Sequence, residues 1–102
     1  MNLPLFLYLA KFFSQNQIKK FTLPKIMVNV INGGMHANNF LDFQEFMIVP
    51  LRARSINQAC DIASECFYEL GKILKKNHFS NSKGDEGGYD ANFKSCYEAF
   101  DF

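Results

Sequence analysis

Three short segments of this 102-residue chain place polar groups where an apolar run ends. In Phe43-Gln44-Glu45-Phe46 a carboxylate is set among Phe, Met, Ile and Val. Taking a carboxylate out of water without a partner is costly, so Glu45 must be protonated, hydrogen-bonded, paired with a cation or open to a ligand cavity. A structural ion pair or an edge position facing solvent is the alternative. In Gly84-Asp85-Glu86-Gly87-Gly88 two adjacent acids are enclosed by glycines, which permit unusual backbone angles and close approach of a ligand. The alternating ligands of an EF-hand are absent, so this is a poor calcium or magnesium loop, and a plain acidic turn is the other reading. In Asn32-Gly33-Gly34-Met35-His36 an imidazole follows a double glycine, where a mobile loop could carry it to an anionic ligand, unless the segment is a surface turn with an incidental histidine. If Glu45 and Glu86 reach one end of the same sheet, their repulsion raises one apparent pKa and leaves a proton donor available near neutral pH. That is general acid chemistry.

The elements that must hold these groups are legible in the pattern. Pro4 suits a first helical turn, and residues 3–13 read as a short helix. Ser14 to Lys20 is polar and breaks the pattern. Lys25 to Ile31 is an almost continuous apolar and β-branched run closed by Asn32-Gly33-Gly34, and Phe43 to Val49 is a second, stopped by Pro50. Both read as strands buried on both faces. Ser55 followed by Gln58 is a capping-box pattern, in which a hydroxyl and a side chain three residues on satisfy the first amides of a helix. Behind it Ala59, Ile62, Ala63, Cys66, Phe67, Leu70, Ile73 and Leu74 recur at helical spacing, and Lys75 and Lys76 suit the negative end of the dipole, so residues 56–76 read as a helix. His78 complements that helix end or lies in solvent. Asn81 to Asn92 reads as a loop. Ser95 and Glu98 repeat the capping pattern, and the apolar face begun by Ala99, Phe100 and Phe102 is cut off by the chain end, which suggests truncation.

Composition narrows the function classes. Hydrophobic residues make up 48% of the chain and aromatic ones 16%, enough apolar surface to require a core, and the net charge is +1. That balance lacks the basic footprint of a nucleic-acid binder or of a protein drawn to anionic membranes. The apolar run from Leu5 to Ala10 is far shorter than the roughly 20 residues of a membrane-spanning helix. Three cysteines, in no metal-ligand spacing, indicate neither a disulfide framework nor a zinc site, and a reducing cytoplasm fits them best.

In order and spacing, Met27-Val28-Asn29-Val30-Ile31-Asn32-Gly33-Gly34, then His36-Ala37-Asn38-Asn39, then Asp42-Phe43-Gln44-Glu45-Phe46-Met47-Ile48-Val49-Pro50, and finally Gly84-Asp85-Glu86-Gly87-Gly88-Tyr89 resemble the enolase (phosphopyruvate hydratase) family. The likeness runs from about Pro4 to the end of the chain. It implies an α/β fold, a partial enolase-type (β/α)8 barrel represented by its opening strand-strand-helix-helix segment. Residues 1–22 are then the helix and linker preceding the barrel, and residues 23–102 the truncated first part of the C-terminal barrel domain. It also implies a lyase of glycolysis that dehydrates 2-phosphoglycerate to phosphoenolpyruvate, with Mg2+ whose ligands, like the lysine base, are not in this chain. By the same resemblance Glu86 is the acid that helps hydroxide leave, Glu45 shares its hydrogen-bond network, and Gln44 and Glu45 contact substrate, while His36 reaches substrate from a closing loop. The three groups His36, Glu45 and Glu86 are expected to converge at one barrel rim. The family forms homodimers. Met35, where a smaller or polar residue often precedes the histidine, and Asp90-Ala91, in place of Ala-Pro, depart from its pattern. The chain is expected to be inactive alone, and a non-catalytic remnant or a protein-interaction domain is the alternative.

Overall fold

The computed structural model describes residues 3–14 and 21–102, and most of the expected polar break at Ser14 to Lys20 lies outside the described residues. Helix α1 spans Leu5–Ser14, opened by the Pro4 carbonyl, which accepts from the amides of Leu7 and Tyr8 at 3.0 and 3.1 Å. Its apolar residues Leu5, Phe6, Tyr8, Phe12 and Phe13 are exposed, with Phe6 edge-on to Phe21 at 5.2 Å.

Strands β1 (Val28–Asn32) and β2 (Glu45–Ile48) pair antiparallel, Val28 opposite Ile48 and Asn32 opposite Glu45, with a bulge between Asn29 and Ile31. The expectation of two longer strands buried on both faces is corrected here. Lys25 and Met27 stay exposed ahead of β1, and Phe43 and Gln44 are exposed ahead of β2. Within β2 exposure alternates, Glu45 and Met47 out and Phe46 buried. The cause is the small sheet: successive side chains of a strand point to opposite faces, and the core lies on one side of β2.

Helix α2 spans Ile56–Lys76, the range expected. Ser55 Oγ accepts from the Gln58 amide at 3.1 Å, and Gln58 Oε1 accepts from the Arg54 amide at 2.7 Å, one residue earlier than a standard capping box. At the other end His78 takes a left-handed backbone at φ 63°, while the Phe79 amide donates to Leu74 and the His78 amide to Lys75. These are the paired bonds of a Schellman cap, and they fold Phe79 back onto Leu74 and the core.

The segment from Asn81 to Asn92 is not a plain loop. Tyr89 forms a parallel bridge to Ile31, its amide donating to Val30 at 2.8 Å and its carbonyl accepting from Asn32 at 3.0 Å, so it lies beside β1 like a one-residue third strand. Short helix α3, Cys96–Phe100, starts at Ser95, whose hydroxyl accepts from the Glu98 amide. Val30, Ile31, Phe46, Leu74, Phe93 and Ala99 meet in the core, where Phe79, Phe93 and Phe102 pack with ring centroids 4.7 to 5.2 Å apart. Beside it a groove of about 530 Å³ stays open, lined among others by Phe46, Met47, Leu70, Ile73 and Phe100. Among the described residues no helix is long and apolar enough to cross a membrane.

Candidate active site

The polar segments singled out in the sequence gather around the end of β1. The chain leaves Asn32 into Gly33, whose amide donates to the Gln44 carbonyl at 2.8 Å, and Gly34, whose amide donates to Leu41 at 2.8 Å. The double glycine is therefore a place where two stretches of backbone run against each other, rather than a free hinge. Gly34–His36 form a single 3-10 turn; the side chain of His36, and with it the expectation that His36 reaches a ligand, lies outside the described residues. Asn39 then staples this connection down. Its amide nitrogen donates to the carbonyls of Asn32 and Ala91 at 2.9 and 3.0 Å, its oxygen accepts from the Leu41 amide, and the neighbouring Asn38 amide donates to Asp90 Oδ1 at 3.2 Å.

The acidic segment closes on itself. The Gly84 amide donates to the Gly88 carbonyl at 2.9 Å and the Gly87 amide to the Gly84 carbonyl at 3.0 Å, which leaves Asp85 and Glu86 exposed at the tip. Across from that tip, Gln44 Nε2 donates to Glu86 Oε1 at 3.4 Å. Residues 42 apart in sequence are thereby joined, and the carboxylate meets an amide donor at the long end of hydrogen-bond distance. Glu45 follows Gln44 as the first residue of β2 and is exposed, so the expectation of a carboxylate buried inside a strand is corrected: it sits where the strand begins, among the residues that line the open groove.

Behind the acidic turn stands Tyr89. Its ring stacks on Phe67 of α2 at 4.3 Å and its hydroxyl donates to the Phe67 carbonyl at 3.1 Å. Burial raises the phenol above its ordinary value of 10.0, with a smaller contribution from Tyr68. Residues 89–91 thus anchor the turn on both β1 and α2. Sequence reasoning passed over Asn32, Asn39 and Tyr89 as site-builders. The one signal for Asn32 was a polar residue ending an apolar run ahead of two glycines.

Magnesium does not fit what is present. Among the described residues no three His, Cys, Asp or Glu side chains gather in a way that could hold a metal ion, and one amide-bound carboxylate is far from the octahedral oxygen set that ion demands.

With this geometry in view, the family model of the enolase C-terminal TIM barrel domain matches residues 20–102. The chain belongs to the enolase C-terminal barrel domain family. It is 50% identical over 101 residues to the enolase of Mycoplasmoides gallisepticum, covering 99% of this chain and 21% of that protein. It is 46% identical over 96 residues to the enolase of Malacoplasma penetrans, covering 94% and 21%, and 46% identical over 100 residues to that of Mycoplasma genitalium, covering 98% and 22%. The enolase-family chain thus spans little more than a fifth of the length of the curated relatives it matches. Its described part holds two antiparallel strands with helices, an α/β arrangement.

Proposed function

We propose that this chain is the opening segment of an enolase barrel and supplies the proton-donating side of a site that dehydrates 2-phosphoglycerate to phosphoenolpyruvate. Residues 23–102 open the barrel domain and residues 1–22 lead into it, a division supported by the family match that begins at residue 20. The observation that carries the reading is the Gln44 to Glu86 hydrogen bond, made by residues of two separate segments at the end of β1. Glu86 gives its proton to the departing hydroxyl, which leaves as water, while Gln44 fixes the carboxyl so that the proton faces the leaving oxygen. Glu45 and His36 complete the contacts to substrate. The base that removes the carbon-bound proton, and the ligands of the Mg2+ that enolases use, come from outside these residues. Unpaired thiols at Cys60, Cys66 and Cys96 support a cytoplasmic setting.

The open groove supports the same reading, because an apolar cleft beside a two-stranded sheet is where further barrel elements would pack. It also favours a second reading, a protein-interaction domain, together with the exposed apolar residues of α1. One experiment separates them. Residues 1–102 are spliced in place of the matching segment of a full-length enolase, and the dehydration of 2-phosphoglycerate with Mg2+ is followed by the absorbance of the enol phosphate. Turnover that Glu86→Gln reduces by about 100-fold or more supports the proton-donor role. A folded chimera without turnover, or turnover indifferent to Glu86→Gln, refutes it. The isolated 102-residue chain should show none.

A further inference from the structure

Asn32 is 0% exposed, the one polar side chain among the fully buried residues described. Its Oδ1 accepts from Asn29 Nδ2, but among the described residues nothing accepts from its own amide nitrogen. Leaving such a donor unpaired opposes folding, and an apolar side chain of similar size would avoid the problem, so a reason for an amide at this place is needed. The surroundings supply one. The carboxamide is wedged between the two ends of the acidic turn: a Cβ on Gly84 would collide with Asn32 Nδ2, and a Cβ on Gly88 would stand 2.5 Å from Asn32 Oδ1. The backbone of the same residue binds Tyr89 just past the turn and accepts from Asn39 in the His36 connection, and its strand partner is Glu45.

We propose that Asn32 is the positioning residue of the acidic turn: its buried carboxamide, seated against Gly84 and Gly88, sets the height and tilt of the turn that presents Glu86 to Gln44. The catalytic consequence rests on the function proposed above, whereas the steric claim stands on the packing alone. A displacement of about 1 Å in an acid that must meet a leaving oxygen can cost about 100-fold in rate. Asn32 therefore acts on turnover through Glu86 without touching substrate.

The geometry dictates a double-mutant cycle. Gly84→Ala forces its Cβ into the amide, whereas with Asn32→Ala in place the nearest contact left is the Cβ at position 32, 3.7 Å away, an ordinary distance. The backbone at Gly84 is one that alanine accepts, since positive φ among the glycines is confined to Gly34 and Gly87. In the chimera, Asn32→Ala and Gly84→Ala should each lower kcat by about 10- to 100-fold with KM changed less than about threefold, counted per folded active site. The double variant should recover at least about fivefold over Gly84→Ala alone. A merely structural role would reduce the folded fraction while sparing kcat, and strictly multiplicative losses would show that amide and glycine do not meet; either overturns the proposal. Should the unsubstituted chimera be inactive, the function reading fails by itself, and the cycle is decided in the 102-residue chain by hydrogen exchange at the Gly87 and Tyr89 amides. There Gly84→Ala should cut protection about tenfold and Asn32→Ala should restore most of it, whereas additive losses overturn the steric claim.

Discussion

A glycine in the middle of a long helix is usually replaced by alanine with profit, and Gly71 of α2 should be an exception. It is buried opposite Tyr89. A Cβ there would collide with the phenolic oxygen and stand 2.7 Å from Cζ, against the roughly 3.5 to 4.0 Å of a comfortable carbon contact, so the ring must retreat by about 1 Å. Little lets it do so. One face stacks on Phe67 at 4.3 Å, the hydroxyl is bonded to the Phe67 carbonyl, and the Tyr89 backbone is bonded to β1 on both sides. Overpacking of this kind costs about 1–3 kcal/mol, and a weakened hydrogen bond adds about 1 kcal/mol. The helix gains about 1 kcal/mol from alanine, so Gly71→Ala should destabilise by about 1–3 kcal/mol net. With no tryptophan in the chain, far-ultraviolet circular dichroism during urea unfolding is the natural readout, repeated in the chimera in case the isolated chain melts without a cooperative transition. In a Tyr89→Phe background the same substitution loses its collision with oxygen and should cost at least about 1 kcal/mol less. Stabilisation by Gly71→Ala of about 1 kcal/mol, as at an unhindered helical glycine, would refute the packing argument.

Three further outcomes are expected. Burial raises the folded-state pKa of Tyr89 above its unfolded value, so the native state holds that proton more tightly; the contribution is complete below about pH 10 and is lost as pH rises through the folded value, and Tyr89→Phe should flatten this alkaline loss in urea midpoints. His78→Gly should stabilise by about 0.5–1 kcal/mol, since glycine takes the left-handed backbone at φ 63° without the strain of a Cβ, and a lower thermal midpoint would count against the cap as described. Gln44→Ala in the chimera should lower kcat by about fivefold, the rate equivalent of one modest hydrogen bond to Glu86, and an unchanged kcat would show that this bond does not orient the acid.

The parts of the fold that were legible in the sequence are those whose signals are local. The bounds of α2 follow from the Ser55 cap, the apolar spacing and the two lysines, and all of these act within a few residues. The strands were legible only as runs. Their ends were misread because the exposure of Lys25, Met27 and Glu45 depends on what packs against the sheet, and nothing near them in sequence says so. The bulge at Val30 and the bridge from Ile31 to Tyr89, 58 positions later, are equally silent in a one-dimensional pattern.

The same distinction applies to the site. Residue types suggested a chemistry: Glu86 between glycines and Glu45 beside an apolar run were conspicuous because each was out of place locally, whereas Gln44, the residue that meets Glu86, was marked only by the family resemblance. The residues that bring them together look ordinary. Asn32 reads as a turn former beside two glycines, Asn39 as one more polar loop residue and Tyr89 as an aromatic after a loop, yet these three carry the bonds between β1, the His36 connection and the acidic turn. A buried amide facing a glycine is a relation between positions 52 apart, and either residue alone looks like conformational freedom. Gly84 and Gly88 are thus better understood as space left for Asn32 than as hinges, which is why removing the amide, and not adding flexibility, should make room for a side chain at Gly84.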